Sequence, residues 1–203
     1  MSFFSKNYRQ ISDEDLMAGI SAGDTNAFDE LYRRYSQRML GYFYRMLGGD
    51  AEKAQDFLQD LFTKIIDNCE SYRNGARFST WLFTIAGNMC KNEYRWQAVR
   101  RGTVNGFDPD LLPDNGSDIS ETIDMRTLRE LIGQELEQLD AHQRNAFVLR
   151  FQEQLSIKEI SAVMKCAEGT TKSRLHYVTR KLAQKFRAYH PEKQEDNDNE
   201  THT

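Results

Sequence analysis

Apolar residues recur every three or four positions over much of this chain, a spacing that predicts amphipathic α-helices. The runs with this spacing are 13–22, 28–47, 54–69, 78–89, 128–139, 146–151, 160–164 and 171–186. Tyr32, Ile66 and Phe151 fall in phase with their apolar neighbours, and we expect them on buried faces. No segment alternates apolar and polar residues with a period of two, so the pattern predicts an all-α fold.

Short motifs indicate where several of these helices begin and end. Ser12 opens a sequence that resembles a capping box, with Asp15 in the place of the usual Glu or Gln, before a short helix at 13–22. Two consecutive glycines at 48–49 end the second run. These signals predict a first group of helices joined by tight turns.

The run at 171–186 follows a capping box at Ser156 and Glu159 and a four-residue break at 165–168, an order typical of a helix-turn-helix. The second helix of that motif enters the major groove of DNA with its outer face. The polar residues predicted on this outer face are Ser173, His176, Tyr177, Arg180 and Gln184, flanked by Lys172 and Arg174. A plain antiparallel helix pair with a solvated outer face fits the same pattern, and the turn alone does not separate the two.

The composition changes between the two groups of helices. Residues 102–120 collect Gly, Pro, Asp, Asn and Ser without periodicity, so we expect an extended linker that can hold two modules apart. The last dozen residues lack apolar periodicity as well, and we expect disorder there. The predicted organisation is two small helical domains joined by an acidic flexible linker: a domain at 10–98, the linker at 99–126, a helix-turn-helix domain at 127–188 and an acidic tail at 189–203.

Charge is segregated along the chain, although the whole chain carries only −4. Residues 102–125 and 191–203 carry net charges of −6 and −4, whereas 71–101 and 156–190 carry +5 and +6. Two basic segments joined by an acidic one suggest two separate contacts with a polyanion. Ordinary solvated helix faces account for the charge pattern equally well.

Several classes of protein do not fit this composition. No apolar run approaches the ~18 residues of a membrane span, and the first ten residues lack the apolar core of a secretory signal, so we expect a cytoplasmic protein without membrane insertion. The three cysteines are far apart without a CxxC pair, which favours small apolar core residues over disulfides or a zinc site. The four histidines show no catalytic or metal-ligand spacing and no phosphate-binding Gly loop occurs, so neither enzymatic activity nor a cofactor is expected.

Six longer motifs occur in order along the chain. They are FDELYRRY at 28–35, AQDFLQDLF at 54–62, FSTWLFTIAGN at 78–88, LDAHQRNAFVLRF at 139–151, LSIKEI at 155–160 and GTTKSRLH at 169–176. The last three resemble the C-terminal DNA-binding domain of bacterial RNA polymerase sigma factors, and the first three resemble the other conserved domain of that family. The chain is similar to the small extracytoplasmic-function class over nearly its whole length.

The resemblance implies that the first domain docks on the clamp helices of the β′ subunit of core RNA polymerase. In the family this contact uses the helix that here carries Asp56, Gln59 and Asp60, and Thr63 lies on the same polar side of that helix. A solvated face is the simpler alternative for these four residues. The family also implies contacts with the β flap, with promoter DNA and with an anti-sigma factor.

The loop at 71–78 and the helix at 79–96 resemble the promoter-melting element of the family, which captures a flipped base of the minus-ten region. The residues expected to contact minus-ten DNA are Tyr72, Arg73, Asn74, Asn88, Lys91 and Arg95. Those expected to contact minus-thirty-five DNA are Thr170, Lys172, Ser173, Arg174, His176, Tyr177 and Arg180. Trp81 is in phase with core residues and is expected in the core, whereas Trp96 fits either a core or a stacking role.

Four positions depart from the family pattern. Lys165 stands where the turn usually has Gly, so a left-handed backbone at that position would have to be adopted by a Lys. Gly87 replaces a frequent Arg, Lys53 a frequent Asp and Tyr177 a frequent Arg. Specificity for the minus-thirty-five element therefore cannot be transferred from a relative.

The sequence thus predicts a sigma factor that binds core polymerase and directs promoter-specific initiation at minus-ten and minus-thirty-five elements, without chemistry of its own. By resemblance, the acidic linker would pass near the active-site cleft and RNA exit channel of the polymerase, where its acids would mimic nucleic acid. The competing interpretation is a stand-alone helix-turn-helix regulator whose N-terminal bundle serves dimerisation or ligand binding.

Overall fold

The computed structural model describes residues 7–72, 77–101 and 125–186, and every regular element within these ranges is helical. The elements are α1 Asp13–Ser21, α2 Thr25–Met46, α3 Ala51–Asp67, α4 Phe78–Arg101, α5 Met125–Glu137, α6 Ala141–Phe151, α7 Ile157–Met164 and α8 Glu168–Lys185, with 3-10 turns at Tyr8–Gln10 and Cys69–Ser71. The all-α prediction is confirmed. Of the linker predicted at 99–126, residues 102–124 lie outside the described residues, as does the whole tail predicted at 189–203, whereas 99–101 belong to α4 and 125–126 to α5.

Side-chain caps fix the first turns of most helices. The residues whose side chains accept a hydrogen bond from a first-turn N–H are Ser12, Asp24, Asp50, Asp140 and Ser156. Such a cap stabilises a helix by about 1 kcal/mol. The predicted box at the start of α7 is complete, because the Glu159 carboxylate accepts the Ser156 N–H at 2.8 Å. The glycines at 48–49 end α2 as predicted, with φ of +71° and +79°.

Helices α1 to α4 form the first module around an aromatic core. Its fully buried side chains include Leu31, Met39, Tyr42, Phe43, Leu61 and Phe83. The rings of Tyr42 and Phe83 meet edge to face with centroids 5.4 Å apart, an arrangement that aromatic pairs prefer. The Glu14 carboxylate accepts the Phe78 N–H at 3.0 Å, so α1 positions the start of α4.

Helices α5 to α8 form the second module, in which α6 and α8 pack together and α7 closes one side. A small apolar cluster of Leu136, Leu139, Val178 and Leu182 joins α5 to α8. Buried Arg144 of α6 donates to the carbonyl oxygens of Leu136 and Glu137 at 2.8 and 2.5 Å and thereby holds the end of α5. This platform supports the outer helix of the helix-turn-helix.

The two modules pack directly against each other. We call this contact the seam and define it as the packing of α2 and α4 against α6 and α7. Ile160 and Val163 of α7 belong to the same buried cluster as Phe83 and Ala86 of α4. The expectation that the modules are held apart does not hold in this structure, because apolar residues of the second module complete the burial of α4.

Three side chains that the periodicity places inward are exposed instead. Tyr32, Ile66 and Phe151 have 40%, 48% and 52% of their surface accessible. A helix that packs on one or two neighbours buries a stripe narrower than its apolar pattern, and residues at the edge of the stripe stay in solvent. Phe151 keeps one apolar contact, since its ring centroid lies 4.7 Å from that of Phe147.

The structure also corrects two of the predicted helix limits. Helix α4 continues to Arg101 instead of ending near Trp96, and α8 begins at Glu168, so the break before it is one residue shorter than predicted.

All three cysteines are unpaired, but only Cys90 is buried. Cys69 is half-buried and packs against the core of the first module, whereas half-buried Cys166 does not belong to that core, so the expectation of three core cysteines is wrong for Cys166. No described helix is both long enough and apolar enough to cross a bilayer.

Candidate nucleic-acid interface

Helix α8 presents one face to the protein and the other to solvent. Thr171, Leu175, Val178 and Leu182 are buried, as the periodicity predicts. The predicted DNA-contacting residues that are exposed on α8 are Thr170, Lys172, Ser173, His176, Tyr177 and Arg180. Tyr177 has 53% of its surface accessible, so its ring is open to solvent. Two cations, a phenol and an imidazole therefore share one open helix face.

Arg174 differs from the other predicted contacts because it is only partly exposed. Its Nη1 donates to the Cys166 sulfur at 3.5 Å, which draws the guanidinium toward the turn between α7 and α8. The Thr171 hydroxyl lies 3.4 Å from the same sulfur and 2.9 Å from the Ser161 hydroxyl. This small polar network fixes α8 relative to α7.

The turn itself has an unusual backbone. Lys165 has φ +51° and ψ +49°, which is a left-handed conformation. The sequence predicts such a backbone here, because related turns usually have Gly at this position. Such a conformation costs a residue with a side chain roughly 1 kcal/mol. The turn is retained because the Lys165 and Cys166 N–H groups donate to the Ala162 and Ser161 carbonyls and close the end of α7.

Helix α4 carries the second group of predicted DNA contacts. Asn88, Lys91 and Arg95 are exposed and line one side of a cavity of about 320 Å³, which α6 and the end of α7 close from the other side. Three residues at spacings of three and four share one helix face. The structure therefore brings these three residues together, at the edge of the seam.

The loop before α4 is only partly described. Arg73 and Asn74 lie outside the described residues. Tyr72 is 9% exposed, and its ring meets the Trp81 ring edge to face at 5.3 Å. In this conformation Tyr72 packs in the core of the first module and does not present its ring to a base, while Trp81 packs against that core as predicted.

Helix α3 carries the predicted polymerase-binding residues. Asp56, Gln59, Asp60 and Thr63 are all exposed, whereas Leu58, Leu61 and Ile65 of the same helix are buried. The Thr63 hydroxyl donates to the Gln59 carbonyl at 3.0 Å and so stays close to the helix. These four exposed residues form a polar, acidic surface, which we call the α3 strip.

Trp96 on α4 is the residue for which the sequence left open a core role or a stacking role. Trp96 is 63% exposed, which excludes the core role, and the Arg100 guanidinium lies 4.8 Å from the centre of its ring. An aromatic residue followed four positions later by Arg on an exposed helix face indicates a cation–π pair. This pair extends the basic face of α4 toward its C-terminal end.

Two carboxylates in and beside the seam have altered acidity. Burial raises the pKa of Glu153, and the nearby Arg38 guanidinium opposes this by favouring the charged form. The pKa of Glu159 is lowered, mainly by the hydrogen bonds it accepts from the Ser156 hydroxyl and N–H and then by Arg77. Sequence patterns do not single out Arg38 or Arg77, because their partners lie 115 and 82 residues away.

The described residues contain no cluster of three or more His, Cys, Asp or Glu side chains that could hold a metal ion. The exposed faces of α4 and α8 carry cations, and the exposed strip on α3 carries anions.

Comparison with known proteins covers both modules. The sigma-70 region 2 family matches residues 31–100, and the sigma-70 region 4 family matches residues 129–182. The RNA polymerase sigma-H factor of Pseudomonas aeruginosa is 32% identical over 173 residues, covering 82% of this chain and 89% of that protein. The ECF RNA polymerase sigma-E factor of Escherichia coli is 30% identical over 174 residues, covering 82% and 90%.

Solved structures show the same fold. The structure of CnrH in complex with the cytosolic domain of CnrY matches with a TM-score of 0.64 and 22% identity, covering 87% of this chain and 97% of that one. The sigma factor RpoE of Bartonella quintana, in complex with the anti-sigma factor NepR, matches with a TM-score of 0.63 and 21% identity, covering 80% and 98%.

The sequence matches include the first module as well as the helix-turn-helix, and so do not favour a stand-alone regulator with an unrelated N-terminal bundle. Identity of 30% or more over most of both chains assigns the family. The chain belongs to the sigma-70 family of RNA polymerase sigma factors, in its extracytoplasmic-function class, and is a non-enzymatic factor for promoter-specific transcription initiation.

Proposed function

We propose that three helices divide the work of this sigma factor. Helix α3 binds core polymerase through Asp56, Gln59, Asp60 and Thr63, α4 binds the minus-ten element, and α8 reads the minus-thirty-five element. The observation that carries this proposal is the separation of charge among exposed faces: α3 is acidic where α4 and α8 are basic. A basic face attracts the phosphate backbone, whereas an acidic face repels DNA and is left for protein contact.

For α8 the proposal assigns two kinds of contact. Lys172 and Arg180 neutralise phosphates, which positions the helix in the major groove but carries no sequence information. Ser173, His176 and Tyr177 lie on the same exposed face and contact base edges there. Arg174 serves mainly as a link to the turn, since its guanidinium already donates to Cys166.

For α4 the proposal assigns melted DNA. Lys91 and Arg95 bind phosphates of the single strand and Asn88 hydrogen-bonds a base, together with Tyr72, Arg73 and Asn74 of the preceding loop. Capture of a flipped base must compensate an unstacking cost of a few kcal/mol, which stacking and hydrogen bonds supply. Because Tyr72 is buried here, its use in base capture requires the loop to rearrange.

Partners and location follow from the same role. The two solved neighbours are described in complex with CnrY and with an anti-sigma factor, and we propose that an anti-sigma factor also regulates this chain. We further propose contacts with the β′ clamp helices and the β flap of polymerase. A factor that acts on the polymerase and on chromosomal promoters works in the cytoplasm.

Run-off transcription with purified core polymerase on genomic fragments tests the proposal. The wild-type chain is expected to start transcription at specific sites, and Asp56→Arg with Asp60→Arg to abolish it by reversing the charge of the α3 strip. Asp29→Arg is the matched control, because Asp29 is an exposed acid on α2, outside the strip. Unchanged transcription by the α3 variant would contradict the assignment of α3.

A gel shift separates the proposal from a stand-alone regulator. A sigma factor is expected to bind a two-element promoter fragment tightly only with core polymerase present, whereas a regulator binds duplex DNA tightly alone. Equal affinity with and without core enzyme would refute the proposed division of work.

A further inference from the structure

The cavity beside α4 has the size of a small-molecule site. Its volume is about 320 Å³, and α6 and the end of α7 border it on the side away from α4. Sites for small molecules occupy ~300–1,000 Å³ and combine an apolar lining with a few polar groups that fix the orientation of the ligand. The residues that line this cavity therefore indicate which kind of molecule it accepts.

Three cations from two parts of the chain line this space, which we call the basic cavity. Lys91 and Arg95 come from α4, and Lys165 comes from the turn after α7. His142, in the first turn of α6, adds an imidazole. Among the described residues, no Asp or Glu lines the basic cavity, and none of the three cations forms an ion pair with a carboxylate. Cations grouped without a counterion attract an anion.

Asn145 of α6 supplies a neutral hydrogen-bond donor to the same cavity. Its Oδ1 accepts the Tyr42 hydroxyl at 3.0 Å, and this is the one side-chain hydrogen bond that Asn145 makes within the described part of the chain. Its Nδ2 lies 3.6 Å from a Cβ built on Gly87, and both residues line the cavity. The amide N–H groups of Asn145 can therefore donate to an oxygen of a ligand.

The rest of the lining of the basic cavity is largely apolar. Met46, Cys90, Tyr94, Val163 and Met164 contribute to it. The Tyr94 hydroxyl donates to the Met46 carbonyl, which holds the ring in place. Burial raises the pKa of the Cys90 thiol to about 12, so this side chain adds no negative charge at neutral pH. An aromatic ring and two thioethers pack well against a flat ring of a ligand.

Gly87 leaves space in the basic cavity next to the cations. A Cβ built on Gly87 would meet its nearest neighbours at 3.6 Å, which is ordinary van der Waals contact. A methyl group therefore fits, whereas a longer side chain must extend into the cavity that Gly87 lines. Lys91 follows four positions later on the same face of α4. A substitution at Gly87 can thus fill the cavity without removing any of its charges.

We propose that the basic cavity binds a small phosphorylated ligand with a flat ring, of the class of the nucleoside monophosphates. Lys91, Arg95 and Lys165 hold the phosphate, and the ring packs against the apolar lining. Charge-assisted hydrogen bonds to phosphate are roughly twice as strong as those between neutral groups. A bare anion leaves the apolar lining unused, and an uncharged ring leaves the cations without a counterion. Because α6 and α7 border the cavity opposite α4, it suits a free molecule better than a continuous DNA strand.

The ligand has a consequence for DNA binding that rests on the proposed function. Lys91 and Arg95 are also the proposed phosphate contacts of the minus-ten strand, and a bound phosphate neutralises them. The ligand is therefore expected to weaken binding of the free chain to a single-stranded minus-ten oligonucleotide and to leave binding of a minus-thirty-five duplex by α8 unchanged. Fluorescence anisotropy with and without adenosine monophosphate measures both. An unchanged affinity for the single strand at saturating ligand would contradict this consequence.

Equilibrium dialysis of the full chain against labelled nucleotides tests the site itself. Adenosine monophosphate and guanosine monophosphate are the probes, and saturable binding of one nucleotide per chain is expected for at least one of them. Inorganic phosphate and the uncharged nucleosides each carry half of the proposed ligand. They are expected to compete about tenfold more weakly or worse, because each uses only the cations or only the apolar lining.

Two variants with matched controls locate the binding. Lys165→Gln removes one charge and is expected to lower the nucleotide affinity about tenfold, since a hydrogen bond to a charged group is lost. Lys158→Gln makes the same change at an exposed residue of α7 that does not line the cavity, and is expected to bind like the wild type. Gly87→Leu fills the cavity and is expected to abolish binding, whereas Gly87→Ala is expected to retain it. Circular dichroism establishes that each variant keeps its helices.

Absence of binding by both nucleotides overturns the proposal, and so does equal affinity of the wild type and Lys165→Gln. Inorganic phosphate that competes as well as the nucleotides would show an anion site only, which also overturns it. A single-stranded oligonucleotide that binds at least tenfold more tightly than either nucleotide, and loses this affinity in Lys165→Gln, would assign the cavity to DNA instead.

The Lys165 comparison remains decisive if Gly87→Leu fails to fold. Dialysis requires neither DNA nor polymerase, so failure of the ligand site is distinguishable from failure of the proposed function, which appears as absence of specific transcripts with wild-type protein and core enzyme.

Discussion

Helices α4 and α8 are both basic and both face DNA in the proposed function, but the protein surrounds them differently. Helix α8 buries one stripe against α6 and α7 and leaves its opposite face in solvent. Helix α4 packs on the first module through Leu82 and Phe83 and on the second module near Gly87 and Tyr94. Its DNA-facing residues occupy the narrow strip that remains.

The two helices therefore differ in how much of their basic face is open to solvent. The outer face of α8 is open to solvent, whereas Lys91 and Arg95 of α4 border a cavity that α6 and α7 close from the other side. Under the proposed function, DNA can approach α8 directly but must approach α4 beside the second module. The variants below either remove the difference between the two helices or make it measurable.

The largest effect is expected at Arg144, which supports both regions. Arg144 is 8% exposed, and its guanidinium donates to the carbonyls of Leu136, Glu137 and Met46. Arg144→Met keeps the apolar stem but removes the hydrogen bonds that its guanidinium donates to these carbonyls, and we expect a loss of about 2 kcal/mol in the free energy of unfolding. Urea unfolding followed by circular dichroism measures it.

Arg150→Met is the control for that substitution. Arg150 is exposed and makes one hydrogen bond, to the Leu155 carbonyl at 3.0 Å. We expect less than about 1 kcal/mol for its replacement. Equal losses for the two variants would show that Arg144 does not hold the platform of α8.

The next largest effect is expected on DNA affinity, and it distinguishes the role of α8 from that of α4. Lys172→Ala with Arg180→Ala is expected to weaken binding of the free chain to a minus-thirty-five duplex about tenfold and to lower the salt slope by roughly two, because two phosphate contacts are lost. Lys91→Ala with Arg95→Ala is expected to leave that binding unchanged and to reduce open-complex formation with polymerase. Fluorescence anisotropy over a salt series and permanganate footprinting are the measurements.

Equal losses of duplex affinity for the two double variants would contradict the comparison. They would mean that α4 is as available as α8 in the free chain. A loss only for the α4 variant would reverse the assignment of the two helices.

The sequence predicts these helices well because each one carries its own periodic pattern and cap. The capping box at Ser156 and the left-handed position at Lys165 are local features, and local spacing suffices to find them. The seam has no local signal. Arg38 and Glu153 are 115 residues apart, and either one alone is an ordinary charged residue on a helix or in a turn.

The exposed residues of the candidate site were also partly predictable. Periodicity alone places Lys172, His176 and Arg180 on the outer face of α8, since it depends only on the rotation per residue. The burial of Tyr72 depends on rings from α4 that its own segment does not contain. The same reason explains Phe151, whose exposure is set by how much of α6 its neighbours cover.

A smaller effect is expected in the turn that fixes α8. Lys165→Gly removes the strain of a left-handed residue with a side chain, and this gain exceeds the added entropy of Gly in the unfolded chain, so we expect about 0.5 kcal/mol of stabilisation. Ala162→Gly in the exposed interior of α7 is the control and should destabilise by about 1 kcal/mol. Thermal unfolding measures both, and destabilisation by Lys165→Gly would show that the Lys side chain itself supports the turn.

The smallest effect concerns acid stability of the first module, far from α8. Glu30 accepts hydrogen bonds from Arg33 and Arg34 at 2.7–2.8 Å, and these lower its pKa from 4.5 to about 2. The folded chain then binds fewer protons than the unfolded chain between these values, so the stability from Glu30 is complete above pH 4.5 and is lost as the pH falls toward 2. Burial raises the pKa of Glu153, so this residue has the opposite sign and its buried charge becomes less costly as the pH falls from neutrality toward 4.5.

Glu30→Gln is therefore expected to make the free energy of unfolding fall less steeply with decreasing pH below about 5. Its dependence on pH near neutrality should not change. Between pH 5 and 4 the wild type should lose less than about 1 kcal/mol through this group, and the variant should lose none of it. Urea midpoints from pH 7 to pH 3 measure the difference, with Glu153→Gln as the partner variant at the seam. If Glu30→Gln leaves the acid slope unchanged, the Arg33 and Arg34 contacts persist in the unfolded chain or do not form in solution, and the first module derives its acid sensitivity from other carboxylates.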